Sequence, residues 1–247
     1  MKRFLILAAW LSSAHSARAD PPAALCAAAQ EQVRAGKLLA SEVATVFGKA
    51  KFAGAEENDC LYPLAALRYA SADVLLVRAG PPDINSGYEA LLSAYVIGRI
   101  GGSLMTVAKF PEFANLGAFV AVTNVWPVEI AGDDAMAIES SSMSQGYSST
   151  YLDFFAFRAG ALVDLGPEPK VVLDADDEGA AKDASKAIVV VGSWFFDPSD
   201  KKALVVDYKI EAKGATRVER VVWRLQDHKF VLARGRVPPE VTQASGR

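Results

Sequence analysis

Apolar positions recur at helical spacing only near the start of the chain. Leu25, Cys26, Ala29 and Val33 fall on one side of a helix, with Gln and Glu between them, which predicts a helix over Ala23–Gly36 capped by Gly36. A second helix opens at Ser41, an N-cap residue, and carries Val43, Val46, Phe47 and Ala50 on one side. Gly54 to Asp59 is a polar break.

From Leu61 onward the apolar runs shorten to strand length. The pattern predicts strands at Leu64–Tyr69, Val74–Ala79, Leu91–Ile100, Leu104–Phe110, Ala118–Val122, Ala135–Glu139 and Tyr151–Arg158. More follow at Ala161–Leu165, Lys170–Leu173, Ala187–Phe196, Ala203–Ile210, Arg217–Leu225 and Lys229–Ala233. Gly101-Gly102, Ala159-Gly160, Asp197-Pro198-Ser199-Asp200, Lys213-Gly214 and Asp227-His228 supply turn chemistry between them. Turns this short join antiparallel neighbours. The expected fold is therefore mainly β: an antiparallel meander of repeated hairpins, as a sandwich or as propeller-like blades, behind a short two-helix N-terminal segment. Strand, loop, strand, tight turn and strand recur around Gly87-Tyr88 and Gly146-Tyr147, 59 residues apart. The expected organisation is a leader over 1–19, a helical segment over 20–59, one antiparallel β domain over 60–236 and a disordered tail over 237–247.

The first 19 residues change the picture. Lys2 and Arg3 precede an apolar run from Phe4 to Leu11, and Ala17-Arg18-Ala19 then offers small residues to a signal peptidase. The run is shorter than the roughly 20 residues needed to cross a bilayer. These features predict a cleaved secretory signal, a periplasmic or secreted location, and no membrane insertion after cleavage. Removing Lys2, Arg3 and Arg18 from the 26 basic residues leaves 23 against 29 acidic ones, so the charge moves from −3 to −6. That balance argues against nucleic acid as a partner. Cys26 and Cys60 are the only cysteines, and in an oxidising compartment they are expected to pair. Neither a zinc site nor a redox C-x-x-C follows from two cysteines so far apart.

Little in the chain carries recognisable chemistry. His228, the one histidine beyond the leader, lies at a hairpin tip. Ser142-Met143-Ser144-Gln145-Gly146 lacks the leading glycine and following helix of a nucleophile elbow. Ser199-Asp200-Lys201-Lys202 falls in a turn rather than at a helix start. The carboxylates Glu129, Asp133, Asp134, Glu139 and Asp153 cluster in sequence, and two facing carboxyls are what glycoside cleavage requires. Asp174-Ala-Asp176-Asp177-Glu178-Gly179 resembles the first half of an EF-hand-type calcium loop. Asp174, Asp176 and Glu178 are the candidate ligands, and calcium is the one candidate cofactor. Ser185 stands where the bidentate glutamate belongs, and Lys182 stands at position 9. No nucleotide-binding glycine motif is present. The strand repeat is loosely similar to the blades of integrin-type repeat proteins, but lacks their acidic signature.

Two stretches suit a binding surface. Ser140 to Thr150 reads as a long polar loop, in which Ser144, Gln145 and Tyr147 offer hydroxyl, amide and aromatic groups. Trp194-Phe195-Phe196 places aromatics on alternating faces of a strand, with Phe195 opposite the other two. Trp126 and Trp223 are expected in the core. Together these features point to an exported, non-catalytic binding or interaction module of the cell envelope, with an envelope protein or glycan as partner. The alternatives are a carboxylate-dependent envelope glycan hydrolase and an enzyme inhibitor.

Overall fold

The computed structural model describes residues 24–34, 40–48, 60–80, 89–181 and 187–244. The predicted leader, Gly36, the Gly54–Asp59 break, Gly87-Tyr88, Lys182 and Ser185 lie outside them. The fold is mainly β, built from antiparallel sheets of consecutive hairpins with few short helices. Residues 60–236, expected as one β domain, fall into two compact units. One comprises 1–119 with 157–162, the other 120–156 with 163–247.

The first unit begins with α1 (Ala27–Arg34) and α2 (Ala40–Phe47). Helix α2 starts one residue ahead of the expected Ser41 cap, and Gly48 ends it with φ of 61° while donating its N–H to Ala44 O. Strands β1 (Leu61–Arg68), β2 (Asp73–Ala79), β3 (Glu89–Ile100) and β4 (Ser103–Ala118) form a sheet in that order. The helices cover it through Val43, packed with Leu25, Leu75, Val77 and Ile97, and Phe47 meets Tyr95 edge to face. Cys26 and Cys60 form the expected disulfide, across a sequence separation of 34. Beside it, Cys26 N donates to Leu61 O, and Leu61 N donates to Ala24 O. The bond thus fastens the helical entry to β1. A disulfide fits an oxidising compartment. Among the described residues, no helix is long and apolar enough to cross a membrane.

The second unit holds β5 (Val120–Ile130), β6 (Asp133–Ser144), β7 (Tyr147–Arg158) up to Ala156, the end of β8 (Ala161–Asp164) from Val163, and β9 (Val171–Asp176). Strands β10 (Ile188–Asp197), β11 (Asp200–Ala212), β12 (Ala215–Gln226) and β13 (Lys229–Arg234) follow. The sheet order is β13-β12-β11-β10-β9-β7-β6-β5, with β8 paired to β7. Both residues have positive φ at Ala131-Gly132, Gln145-Gly146, Ala159-Gly160 and Lys213-Gly214. That is the signature of the two-residue turn whose twist matches a hairpin. Gln145-Gly146 is therefore a tight turn. Ser140–Thr150, expected as a loop, is instead strand, turn and strand, with Ser144 directly opposite Tyr147.

This sheet cannot be flat. Trp126 on β5 and Trp194 on β10 lie four strands apart, about 19 Å at the usual strand spacing. Their ring centroids are 5.9 Å apart. The bend sits at the narrow join of β9 and β10, which pair only through Val189↔Asp176 and Val190↔Ala175. Just beyond, a Cβ on Gly192 would lie 2.8 Å from Leu173 O, so only glycine lets the two backbones cross this closely. The β10–β13 half folds onto the β5–β7 half, and the core fills the space between. Phe154, Tyr208, Trp223 and Phe230 are fully buried there. Leu165 N donates to Phe154 O and Glu168 N donates to Phe230 O, tying β13 back towards β7 through a single bridge, so the sheet stays open. The last described element is α3 (Pro239–Ala244), packed on β9 and β10 with Val241 buried in the core. The expected disordered tail is thus ordered over 239–244, because Val241 finds apolar surface that the local composition does not reveal.

Candidate functional site

Strand register brings together a group of side chains that are scattered in sequence. Asn124 on β5 lies opposite Glu139 on β6, and Glu139 lies opposite Leu152 on β7. Two residues along the same face, Thr150 lies opposite Asp174 on β9. The fold of the sheet then sets Trp194 against this row. Its indole N–H donates to Glu139 Oε1 at 2.9 Å, and the Asn124 amide donates to Glu139 Oε2 at 3.1 Å. Trp126, on the same face as Asn124, packs edge to face on Trp194 and is 36% exposed. Trp126 was expected in the core. It is open because β5 is the edge strand of its sheet among the described residues.

Electrostatics sharpen this arrangement. Asp174 accepts from Gly192 N at 3.3 Å and from the Thr150 hydroxyl. Burial pushes its carboxyl above the ordinary range and the nearby negative Glu139 adds to the rise, while the two hydrogen bonds oppose it. The result is a row of polar groups, Asn124, Glu139, Thr150 and Asp174, walled by two tryptophans. Deeper in, the same face turns apolar at Phe154, which packs on both Trp194 and Phe196.

A second group lies on the opposite face of β7. Asp153 shares its face with Ile138, so it points away from Glu139. Its carboxylate lies 3.3 Å from Lys170 Nζ, and its side chain is 13% exposed. Burial raises its pKa above the carboxylate range, Lys170 opposes the rise, and Asp164 adds to it. Asp164 accepts from Gly166 N at 2.6 Å and pairs with Lys229 at 3.5 Å. A Cβ on Gly166 would lie 2.8 Å from Asp164 Oδ1 and 3.8 Å from Asp153 Oδ1. Those two carboxylate oxygens are therefore no more than about 7 Å from each other, so the two carboxyls are neighbours, as glycoside cleavage requires of its pair.

The residues singled out in sequence are distributed differently from the expectation. Ser144, Gln145 and Tyr147 sit at the β6–β7 tip, five residues from Glu139, or about 17 Å along the strand. They do not join Trp194 in one site. The tip instead packs on the turn after β9, where a Cβ on Gly146 would fall 2.4 Å from the Gly179 carbonyl carbon. The candidate calcium ligands lie at the end of β9 and on the turn after it. Asp174 and Asp176 belong to a strand, not a loop, and their carboxylates cap backbone: Gly192 N for Asp174 and Glu178 N, at 2.7 Å, for Asp176. Glu178 is exposed on the following turn. Among the described residues no three His, Cys, Asp or Glu side chains group to hold a metal ion.

Of the clustered carboxylates, Asp133 and Asp134 are consecutive in β6 and point to opposite faces. Asp134 lies opposite Glu129, which pairs with Lys201 at 2.9 Å. Neither Asp164 nor Asn124 stood out in sequence. For Glu139 the signal was present: it is the charged residue that continues the alternation of Ala135 and Ala137 on the inward face. Comparison with family models, with curated proteins and with solved structures finds no match.

Proposed function

We propose that this protein is an exported, non-catalytic binding module of the cell envelope, and that it binds its ligand at the Trp126–Trp194 wall. The observation that carries this reading is the half-open tryptophan pair whose inner member is fixed by Glu139, beside the exposed Asn124 amide. An aromatic face next to an amide and a carboxylate suits a sugar ring or a polar protein segment. The disulfide and the predicted leader support an envelope location.

Intrinsic fluorescence tests it. Titration of the mature chain with solubilised envelope glycan, and separately with envelope protein recovered by cross-linking, is expected to give saturable quenching with one of them. Trp126→Ala is expected to weaken that binding at least tenfold with the fold intact. Unaltered binding by the variant would remove this site from the reading.

A carboxylate-dependent envelope glycan hydrolase is the second reading, favoured by the closeness of Asp153 and Asp164 around Gly166. Asp153, buried and with a raised pKa, suits the proton donor, and the exposed Asp164 suits its partner. It predicts turnover of an envelope glycan that vanishes in both Asp153→Asn and Asp164→Asn. Absence of turnover on purified envelope glycans retires it.

A further inference from the structure

The polar row behind the tryptophan wall continues inward to Tyr208. Gly192, whose N–H donates to Asp174, lies opposite Tyr208 on β11, and Trp194 lies opposite Val206. Tyr208 is therefore the diagonal neighbour of Trp194 on the inward face. It is fully buried, and its hydroxyl has no hydrogen-bond partner among the described residues. A buried hydroxyl left unpaired costs stability, so its place beside a row of polar groups calls for an explanation in function.

The same row is acidic. Glu139 and Asp174 share it, and Trp126, Ser141, Leu152 and Phe154, on the same face of β5, β6 and β7, are all uncharged. Glu139 accepts from two neutral donors, Trp194 and Asn124, and Asp174 accepts from two more, Gly192 N and the Thr150 hydroxyl. Bases on neighbouring elements are engaged elsewhere. Lys201 pairs with Glu129 at 2.9 Å, and Arg217 pairs with Glu219 and Glu240 at 2.7 and 2.6 Å. Burial first, and negative Glu139 second, hold the Asp174 carboxyl above the ordinary range.

We infer that the Trp126–Trp194 site takes a sugar ring that bears a free ammonium group. This rests on the binding reading given above and names the ligand class that the site selects. The ammonium pairs with Glu139 and Asp174, the ring lies on the open face of Trp126, and ring hydroxyls meet the Asn124 amide and, at the inner end of the row, the Tyr208 hydroxyl. Charge-assisted hydrogen bonds to the carboxylates discriminate against a neutral sugar, and the tryptophan face adds cation–π attraction. Uncharged polar groups on either side of the acids suit a ligand with several hydroxyls better than a single charged head on an alkyl chain.

Tryptophan quenching of the mature chain by a glucosamine oligomer, by its N-acetylated counterpart and by a lysine oligomer tests this. The glucosamine oligomer is expected to bind at least tenfold more tightly than either of the others. Glu139→Gln and Asp174→Asn are each expected to remove most of that preference. Tyr208→Phe, which keeps the ring, is expected to weaken glucosamine binding severalfold without lowering the melting temperature, and serves if the acid variants fold poorly. No binding of the glucosamine oligomer overturns the inference, as does tighter binding of the lysine oligomer. Equal binding of the N-acetylated oligomer, still weakened by Trp126→Ala, overturns the ammonium inference alone and leaves the tryptophan site standing. Glucosamine binding that Trp126→Ala leaves unchanged overturns both.

Discussion

Phe154 is the ring on which the folded-over sheet depends. It is fully buried on β7, and its centroid lies 5.5 Å from Trp194, 5.6 Å from Phe196 and 5.4 Å from Phe230. One side chain thus connects the β5–β7 half with both β10 and β13. Phe154→Ala removes a buried aromatic side chain and leaves a cavity, which costs about 3–5 kcal/mol. Each ring pair adds about 0.5–1.5 kcal/mol beyond area burial, and with three pairs the upper end of that range is expected. Whole-domain stabilities are about 5–15 kcal/mol, so the variant should fold but sit close to its threshold. Urea unfolding followed by tryptophan fluorescence is the assay, because Trp126, Trp194 and Trp223 all lie in the second unit. The sharper test is a double-mutant cycle with Trp194→Leu. A coupling of about 0.5–1.5 kcal/mol is expected from one aromatic pair. A loss below about 1 kcal/mol for Phe154→Ala, or zero coupling, would refute the argument that the two halves are held through this ring.

Three further outcomes follow from the structure. Tyr208 is fully buried and its hydroxyl has no hydrogen-bond partner among the described residues, so Tyr208→Phe should leave the melting temperature unchanged or raise it; a loss above about 1 kcal/mol would show that the hydroxyl is satisfied. Breaking the Cys26–Cys60 bond with Cys60→Ser should cost the first unit about 3–4 kcal/mol in the chain-entropy model, while tryptophan fluorescence of the second unit stays native; a reduced fluorescence midpoint of equal size would contradict the division into two units. Asp153 has a folded pKa above its unfolded value, so the folded state holds its proton more tightly, and the associated stability is complete at low pH and is lost as pH rises through the raised pKa. Asp153→Asn should flatten the fall in melting temperature above the ordinary carboxylate range, and an unchanged profile would remove this residue from the account.

Much of the fold was legible because period-two patterning and turn chemistry are local. Lys213-Gly214 and Ala159-Gly160 marked their hairpins correctly, since positive φ at both positions is a property of the turn residues themselves. The same logic applied to Gln145-Gly146, but the run of serines around it hid the strands. Serine has low intrinsic strand preference, and Ser140–Ser144 is extended because it pairs with Tyr147–Tyr151 across the turn. Phe195 was placed opposite Trp194 and Phe196, and the structure leaves it 40% exposed while its neighbours pack on the core. Trp126 resisted the same reasoning because exposure depends on being at a sheet edge, which no residue near it encodes.

The sequence by itself determined where many of the strands lie, most of their turns, the cysteine pair and the helical entry, since each depends on residues close together or on a simple count, while β4, β5 and β6 run well past their expected ends. Only the tertiary structure decided which side chains share a face across strands. Glu139 meets Trp194 across a sequence separation of 55 residues, and Asp174 meets Gly192 across 18, because a bend at a two-pair join of β9 and β10 brings them together. That bend requires the close backbone crossing at Gly192, a packing event between distant segments rather than a pattern along the chain. Asp153 and Asp164 lie on different strands, and it is the absence of a side chain at Gly166 that leaves room for their oxygens to approach.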